Sequence, residues 1–298
     1  MVLFNGLSAF PITPADLHGR VDTEGLCRLL ERIVQSGAQS VGLLGSTGTY
    51  MFLSRSQRQR AIEAAAECLS GKLPLIVGVG TLRTDDVQVL ARDAARCGAD
   101  GLLLAPVSYT PLTSEEVYQH FVAVAGASDL PLCIYNNPGT TNFSFSSELL
   151  ARLSLIATIC AVKMPLPTER DLEADLAHLR GALSEDFQIG YSGDWGCAQA
   201  MLAGADCWYS VAGGILPELT AKLCKAAAAG EKAEAERIDG QFQPLWDLFK
   251  EFGSLRVVYA IANQLSLSET QPPRPLLPLS TDDQQRVEVA LQGLGALD

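Results

Sequence analysis

The chain has 298 residues, 48% hydrophobic and 19% charged, an ordinary globular composition that excludes a disordered or low-complexity polypeptide. Its formal net charge of -12, with no stretch gathering Lys or Arg into a face, argues against nucleic acid as a partner. No uninterrupted apolar run approaches the ~18 residues of a membrane span, so no membrane partner is expected.

The first residues, "MVLFNGLSAFPITP", lack the basic start and long apolar core of a signal peptide, and a cytoplasmic protein is expected. The eight cysteines fit that compartment. None forms a CxxC pair or clusters with histidine, and Cys68, Cys133, Cys160 and Cys207 fall singly in apolar segments, as reduced thiols do.

Short β-rich runs then alternate with longer helical patterns. "GLSAFPIT" (6–13) precedes "DTEGLCRLLERIVQSG" (22–37), where Leu26, Leu29, Leu30 and Ile33 share one helical face. "SVGLLG" (40–45) is followed by a helix from about Ser54 to Leu69. "LPLIVGVG" (73–80) leads into a helix with Thr84 as the expected N-cap and Gly98 as the stop. After "DGLLLAP", Thr113 and Glu116 have capping-box spacing. "LPLCIYN", "TICAVKM", "FQIGYSG" and "ADCWYSV" continue the strand series, each separated by a helical segment.

The strands are continuously apolar, as expected when both faces are covered. Eight strand–helix units fit an α/β chain folded as a (β/α)8 barrel, typically ~250 residues long, with a doubly wound open sheet as the alternative. We assign residues 1–230 to the barrel and 231–298 to a helical C-terminal extension packed on it, reached in part through the Pro-rich connector "TQPPRPLLPLS" (270–280).

In such barrels the active site lies at the C-terminal strand ends. Those ends read "GSTGT" (45–49), "APVSYTP" (105–111), "YNNPGT" (135–140), "KMP" (163–165), "YSGDW" (191–195) and "SVAGG" (210–214). Of the six lysines, Lys72, Lys222, Lys225, Lys232 and Lys250 fall on helices or connectors, and Lys163 alone ends an interior strand. Burial of an amine disfavours its charged form and leaves a nucleophile for a carbonyl carbon. A rim ion pair with a carboxylate, or a solvated lysine, are the alternatives.

Tyr135 ends the neighbouring strand, and a phenol beside an amine–carbonyl condensation can move the protons that it needs. A half-buried aromatic is the other reading of Tyr135. In "GSTGT", Ser46 and Thr47 offer hydroxyls and successive N–H groups able to hold a carboxylate. The loop lacks the lysine of a nucleotide-phosphate motif, "GVGTLR" misses the dinucleotide pattern, and His18, His120 and His178 are scattered. No metal or nucleotide cofactor is expected.

With "GSTG", "YNNP", Lys163, "SGD" and "AGADCWYSVAGG" in this order, the sequence resembles the dihydrodipicolinate synthase / N-acetylneuraminate lyase family across nearly the whole chain. The resemblance implies a class I aldolase-type lyase in which pyruvate, or the pyruvoyl end of a longer 2-oxo acid, forms an imine with Lys163. Tyr135, assisted by Ser46, would relay protons, and Ser46, Thr47 and Gly48 would bind the carboxylate. Gly193 and Tyr209 match positions whose backbone lies near the substrate. The family commonly forms tetramers in which a relay tyrosine enters from a neighbouring subunit. Tyr109 is the candidate for that role, with Ser108 as the alternative occupant, in a homotetramer or homodimer.

Three positions depart from the pattern. Thr49 and Met164 stand where the family commonly has acids. Thr140 stands where dihydrodipicolinate synthases carry the arginine that binds the carboxylate of aspartate semialdehyde. The expected reaction is therefore condensation or release of pyruvate with a partner set by an altered second subsite. Dihydrodipicolinate synthesis itself, dehydration of a deoxy-sugar acid through the same imine, and a 2-oxo-acid-binding barrel without turnover are the alternatives.

Overall fold

The structure is a computed structural model that describes residues 3–168 and 171–297; the outermost residues of the two assigned regions lie outside it. Eight parallel strands close into a barrel in chain order. They are β1 (Gly6–Ala9), β2 (Ser40–Leu43), β3 (Leu75–Gly78), β4 (Gly101–Leu104), β5 (Leu132–Tyr135), β6 (Ile159–Pro165), β7 (Gln188–Ser192) and β8 (Cys207–Ser210). Between them run α1 (Thr23–Ser36), α2 (Arg55–Leu69), α3 (Thr84–Arg96), α4 (Ser114–Ala125), the short α5 (Pro138–Thr141), α6 (Ser147–Ser154), α7 (Leu172–Ala182) and α8 (Asp194–Leu202). After β8 follow α9 (Pro217–Ala228), α10 (Lys232–Phe252), α11 (Ser254–Gln264) and α12 (Thr281–Gly293).

The open-sheet alternative is excluded, because β8 pairs with β1 from Gly6↔Cys207 to Ala9↔Ser210. Every residue of β2, β3, β4, β5 and β8 is buried, which is why these strands read as unbroken apolar runs. The two-residue period then divides the side chains. Ile134, Val162 and Trp208 point outward into the layer beneath the helices. Cys133, Tyr135, Ala161, Cys207 and Tyr209 point inward, with Phe10 and Leu103. One closure contact leaves no freedom: a Cβ on Gly78 would lie 1.9 Å from the Leu44 carbonyl oxygen.

The helices start where their caps place them. The Asp22 side chain accepts from the Gly25 N–H at the start of α1, and Leu26, Leu29, Leu30 and Ile33 form its buried face. Thr113 and Glu116 make the reciprocal capping box of α4. At α3 the expected cap is shifted: Arg83 is the N-cap, and Thr84 is already helical with its hydroxyl 2.9 Å from His120 Nδ1. Cys97 caps the other end, and Gly98 follows in the left-handed region at φ 98.

In α10, Phe242 and Trp246 stack at 4.7 Å and are fully buried in the same apolar core as residues of α8 and α9. Burial of such a side chain contributes about 1.5–3 kcal/mol. No helix among the described residues is long and apolar enough to cross a membrane.

Candidate active site

Lys163 sits opposite Tyr135 on β5 and Gly190 on β7, and it points into the barrel because Ala161, two residues earlier, does. The residue is 4% exposed. Its Nζ lies 4.1 Å from the centre of the Phe10 ring, 4.1 Å from that of Tyr135 and 5.7 Å from that of Tyr209. Among the described residues the lysines in ion pairs are Lys232 and Lys250, so the rim ion pair weighed for Lys163 is not formed there. The lysine is not solvated either. An amine enclosed by three aromatic rings gains some cation–π attraction from them.

Tyr135 is 8% exposed, and its hydroxyl accepts a 2.9 Å hydrogen bond from Asn137 Nδ2. That bond occupies an oxygen lone pair and leaves the phenolic proton free to be donated. Asn136, between them, is buried; its Nδ2 reaches Met164 Sδ at 3.6 Å. Tyr209 lies deeper, 1% exposed, with its hydroxyl 3.4 Å from Cys133 Sγ; burial pushes its phenol well above the ordinary range.

The loop after β2 is strained at both ends. Leu44 and the β-branched Thr49 are held at φ 55 and φ 52 in the left-handed region, a conformation that costs about 1–3 kcal/mol for such residues. Thr47, Gly48 and Thr49 are buried while Ser46 is exposed. A Cβ on Gly48 would fall 2.9 Å from the Leu44 backbone nitrogen and 3.1 Å from Thr13 Oγ1. Thr49, which stands where the resemblance expects an acid, is 3% exposed.

On the far side, Gly193 adopts φ 106 as the N-cap of α8, and the Leu166 side chain and the half-exposed Trp195 crowd the space above it. The next residue, Asp194, is fully buried and accepts from Trp208 Nε1 (2.9 Å), Ser210 Oγ (2.5 Å) and the N–H groups of Val211 (3.1 Å) and Ala212 (3.3 Å). Burial raises its pKa, and these four donors pull it back. Asp194 thereby ties the end of β7 to the end of β8.

Thr140 is exposed at the end of α5, with its hydroxyl donating to the Asn137 carbonyl at 3.3 Å. Tyr109 is 95% exposed and does not enter its own barrel. Nor does Ser108, whose Oγ donates to the Thr110 carbonyl at 2.5 Å beside a hollow lined by Leu82, Pro106, Val107 and His120. The structure thus brings Lys163, Tyr135 and Tyr209 together and leaves Tyr109 apart. Sequence reading passed over Phe10 and Thr13, whose hydroxyl is buried with no partner among the described residues. Both follow β1, whose end was not read with the others; reading all eight ends would have found them.

A closed barrel with an enclosed lysine that has no carboxylate partner among the described residues, beside a phenol on the adjacent strand, is the arrangement of a Schiff-base lyase of the class I aldolase type. The chain belongs to the dihydrodipicolinate synthetase family, whose profile matches residues 3–294. It is 34% identical to the 4-hydroxy-tetrahydrodipicolinate synthase of Gluconacetobacter diazotrophicus over 99% of each chain. Its fold superposes with a TM-score of 0.96 on the crystal structure of dihydrodipicolinate synthase from Agrobacterium tumefaciens, at 61% identity over 98% of both chains. The chloride-inhibited dihydrodipicolinate synthase from Acinetobacter baumannii, solved in complex with pyruvate, matches with a TM-score of 0.89 at 28% identity, covering 99% of this chain and 100% of that one.

Proposed function

We propose that Lys163 attacks the carbonyl carbon of pyruvate, or of the pyruvoyl end of a longer 2-oxo acid. The carbinolamine so formed loses water, and the protonated imine then stabilises the enamine of C–C bond formation or cleavage. The observation that carries this reading is the enclosure of Lys163 beside Tyr135 without a carboxylate partner among the described residues. A lysine kept for structure at such a depth would be expected to carry a counter-charge.

Tyr135 delivers and removes protons at the carbinolamine, with Ser46 assisting. Ser46, Thr47 and Gly48 hold the substrate carboxylate through N–H and hydroxyl groups, and the buried packing of Leu44 and Thr49 holds this loop in its turned form against the cost of their positive φ. Gly193 and the Tyr209 backbone complete the wall. A pyruvate complex in a structural relative supports the choice of 2-oxo acid.

The distal half of the substrate meets Thr140, whose neutral hydroxyl favours an aldehyde other than aspartate semialdehyde. The names of the relatives favour dihydrodipicolinate synthesis as the second reading. Tyr109, an exposed aromatic, reaches the site of a neighbouring copy in a homotetramer or homodimer, and the free cysteines support a cytoplasmic location.

The test is a screen of 2-oxo acids for pyruvate release, and of aldehydes for pyruvate consumption, with Lys163→Arg alongside. Turnover that falls about 1,000-fold in the variant is expected; equal turnover would remove Lys163 from the chemistry.

A further inference from the structure

The tier of residues that carries Lys163 and Tyr135 continues around the barrel. Tyr135 pairs with Lys163, and Leu104 pairs with Ile134, which sets Ala105 beside Tyr135. Gly78 pairs with Leu103, and the Val79 N–H continues that ladder to the Leu103 carbonyl at 3.0 Å, which sets Gly80 beside Ala105. Gly80 and Ala105 are too small to fill their share of the mouth. Tyr50 fills it.

Tyr50 opens the 3-10 turn Tyr50–Phe52, directly after the strained Thr49, and is 7% exposed. A Cβ on Gly80 would lie 3.1 Å from the Tyr50 hydroxyl and 3.3 Å from the Ala105 carbonyl oxygen, so the phenol end rests on the end of β3, one strand removed from Tyr135, which is near enough to act on it electrostatically. The ring is clamped from behind by Arg58, whose guanidinium carbon is 5.1 Å from the ring centre. Arg58 is itself buried, donating Nη1 to the Gly80 carbonyl at 3.0 Å and Nε to the Leu53 carbonyl at 3.3 Å. Burial first, and then the neighbouring Tyr135, push the Tyr50 phenol up to about 12, so it stays protonated and able to donate.

We infer that Tyr50 is a positioning residue of the proton relay, supplying from the same chain a phenol that re-protonates Tyr135. The inference rests on the Schiff-base reading above. In the dehydration step the carbinolamine C–O bond breaks, and the leaving oxygen takes the Tyr135 proton and departs as water. The nitrogen lone pair forms the C=N bond. The Tyr50 proton passes to the Tyr135 phenolate, and solvent water re-protonates Tyr50, so the relay returns to its starting state with one proton taken from solvent.

Rapid-quench borohydride trapping of pyruvate on the whole protein tests this with Tyr50→Phe, which keeps the ring under Arg58, and with Gly80→Ala, whose methyl would press on the Tyr50 hydroxyl. Both variants are expected to slow imine formation at saturating pyruvate by about tenfold or more, with half-saturation unchanged. The solvent deuterium isotope effect on that step is expected to change in Tyr50→Phe. Trapping at the wild-type rate with the wild-type isotope effect in both variants would overturn the inference. Absence of any adduct on the wild type would overturn the Schiff-base reading itself, and this inference with it.

Discussion

Lys163 and Tyr135 lie opposite each other on paired strands, and the lysine Nζ stands 4.1 Å from the centre of the tyrosine ring. Strand pairing fixes this relationship, since a one-residue slip of either strand would turn its side chain out of the barrel. Backbone hydrogen bonds therefore hold the amine and the phenol in register.

An amine in an aromatic enclosure is costly to fold around. Lys163→Met, close in volume and without the polar nitrogen, is expected to stabilise the protein by about 1–2 kcal/mol while abolishing turnover. Thermal unfolding checks it: the melting temperature should rise by roughly 2–4 °C per kcal/mol. A fall would mean that the amine has a compensating partner.

The four hydrogen bonds accepted by Asp194 require an acceptor on both oxygens. Asn at this position turns a donor toward at least one of the groups, and Asp194→Asn is expected to cost about 2–4 kcal/mol. Urea unfolding reads this as a lower midpoint. An unchanged midpoint would show that the β7–β8 tie contributes nothing to stability.

The pH dependence of stability has an identifiable contributor away from the site. Asp93 on α3 is buried, and its hydrogen bond from Arg55 (2.5 Å from Nε), aided by Arg96, holds its carboxyl below the ordinary value of 3.8. A depressed carboxylate pKa contributes stability that is present above the unfolded value and lost as pH falls through the folded one. Asp93→Asn should therefore lose about 1–3 kcal/mol at neutral pH and show a flatter loss of stability as pH falls below the ordinary carboxylate value of 3.8. Parallel acid profiles for wild type and variant would contradict this assignment.

Much of this was legible in the sequence because it depends on local pattern. The strand runs, the α1 face, the α4 capping box and the placement of Lys163 at an interior strand end all follow from periodicity and capping chemistry. What was not legible depends on closure. Phe10 enters the site only because β1 meets β8, and Tyr50 turns inward because Thr49 adopts a positive φ that no propensity assigns to threonine. Asp194 looked like a family marker, and its buried bonds to Trp208 and Ser210 span 14 and 16 residues. Thr84 was misread as a cap because its hydroxyl faces His120 on α4.

Thr140 is exposed and neutral, and the proposed function makes it the position from which the second substrate can be changed. Thr140→Arg supplies a planar fork for a carboxylate and should raise kcat/KM for pyruvate with aspartate semialdehyde by about tenfold. Steady-state kinetics with that aldehyde decide it. No increase, with pyruvate adduct formation intact, would show that this position does not set specificity.

The central claim is that Lys163 is the imine-forming nucleophile, and intact-protein mass spectrometry after incubation with pyruvate and borohydride tests it most directly. The account predicts one reduced-pyruvate adduct per chain on the wild type, mapped to the peptide bearing Lys163, and none on Lys163→Ala. A folded wild type without the adduct, or an adduct that persists on Lys163→Ala, would contradict it.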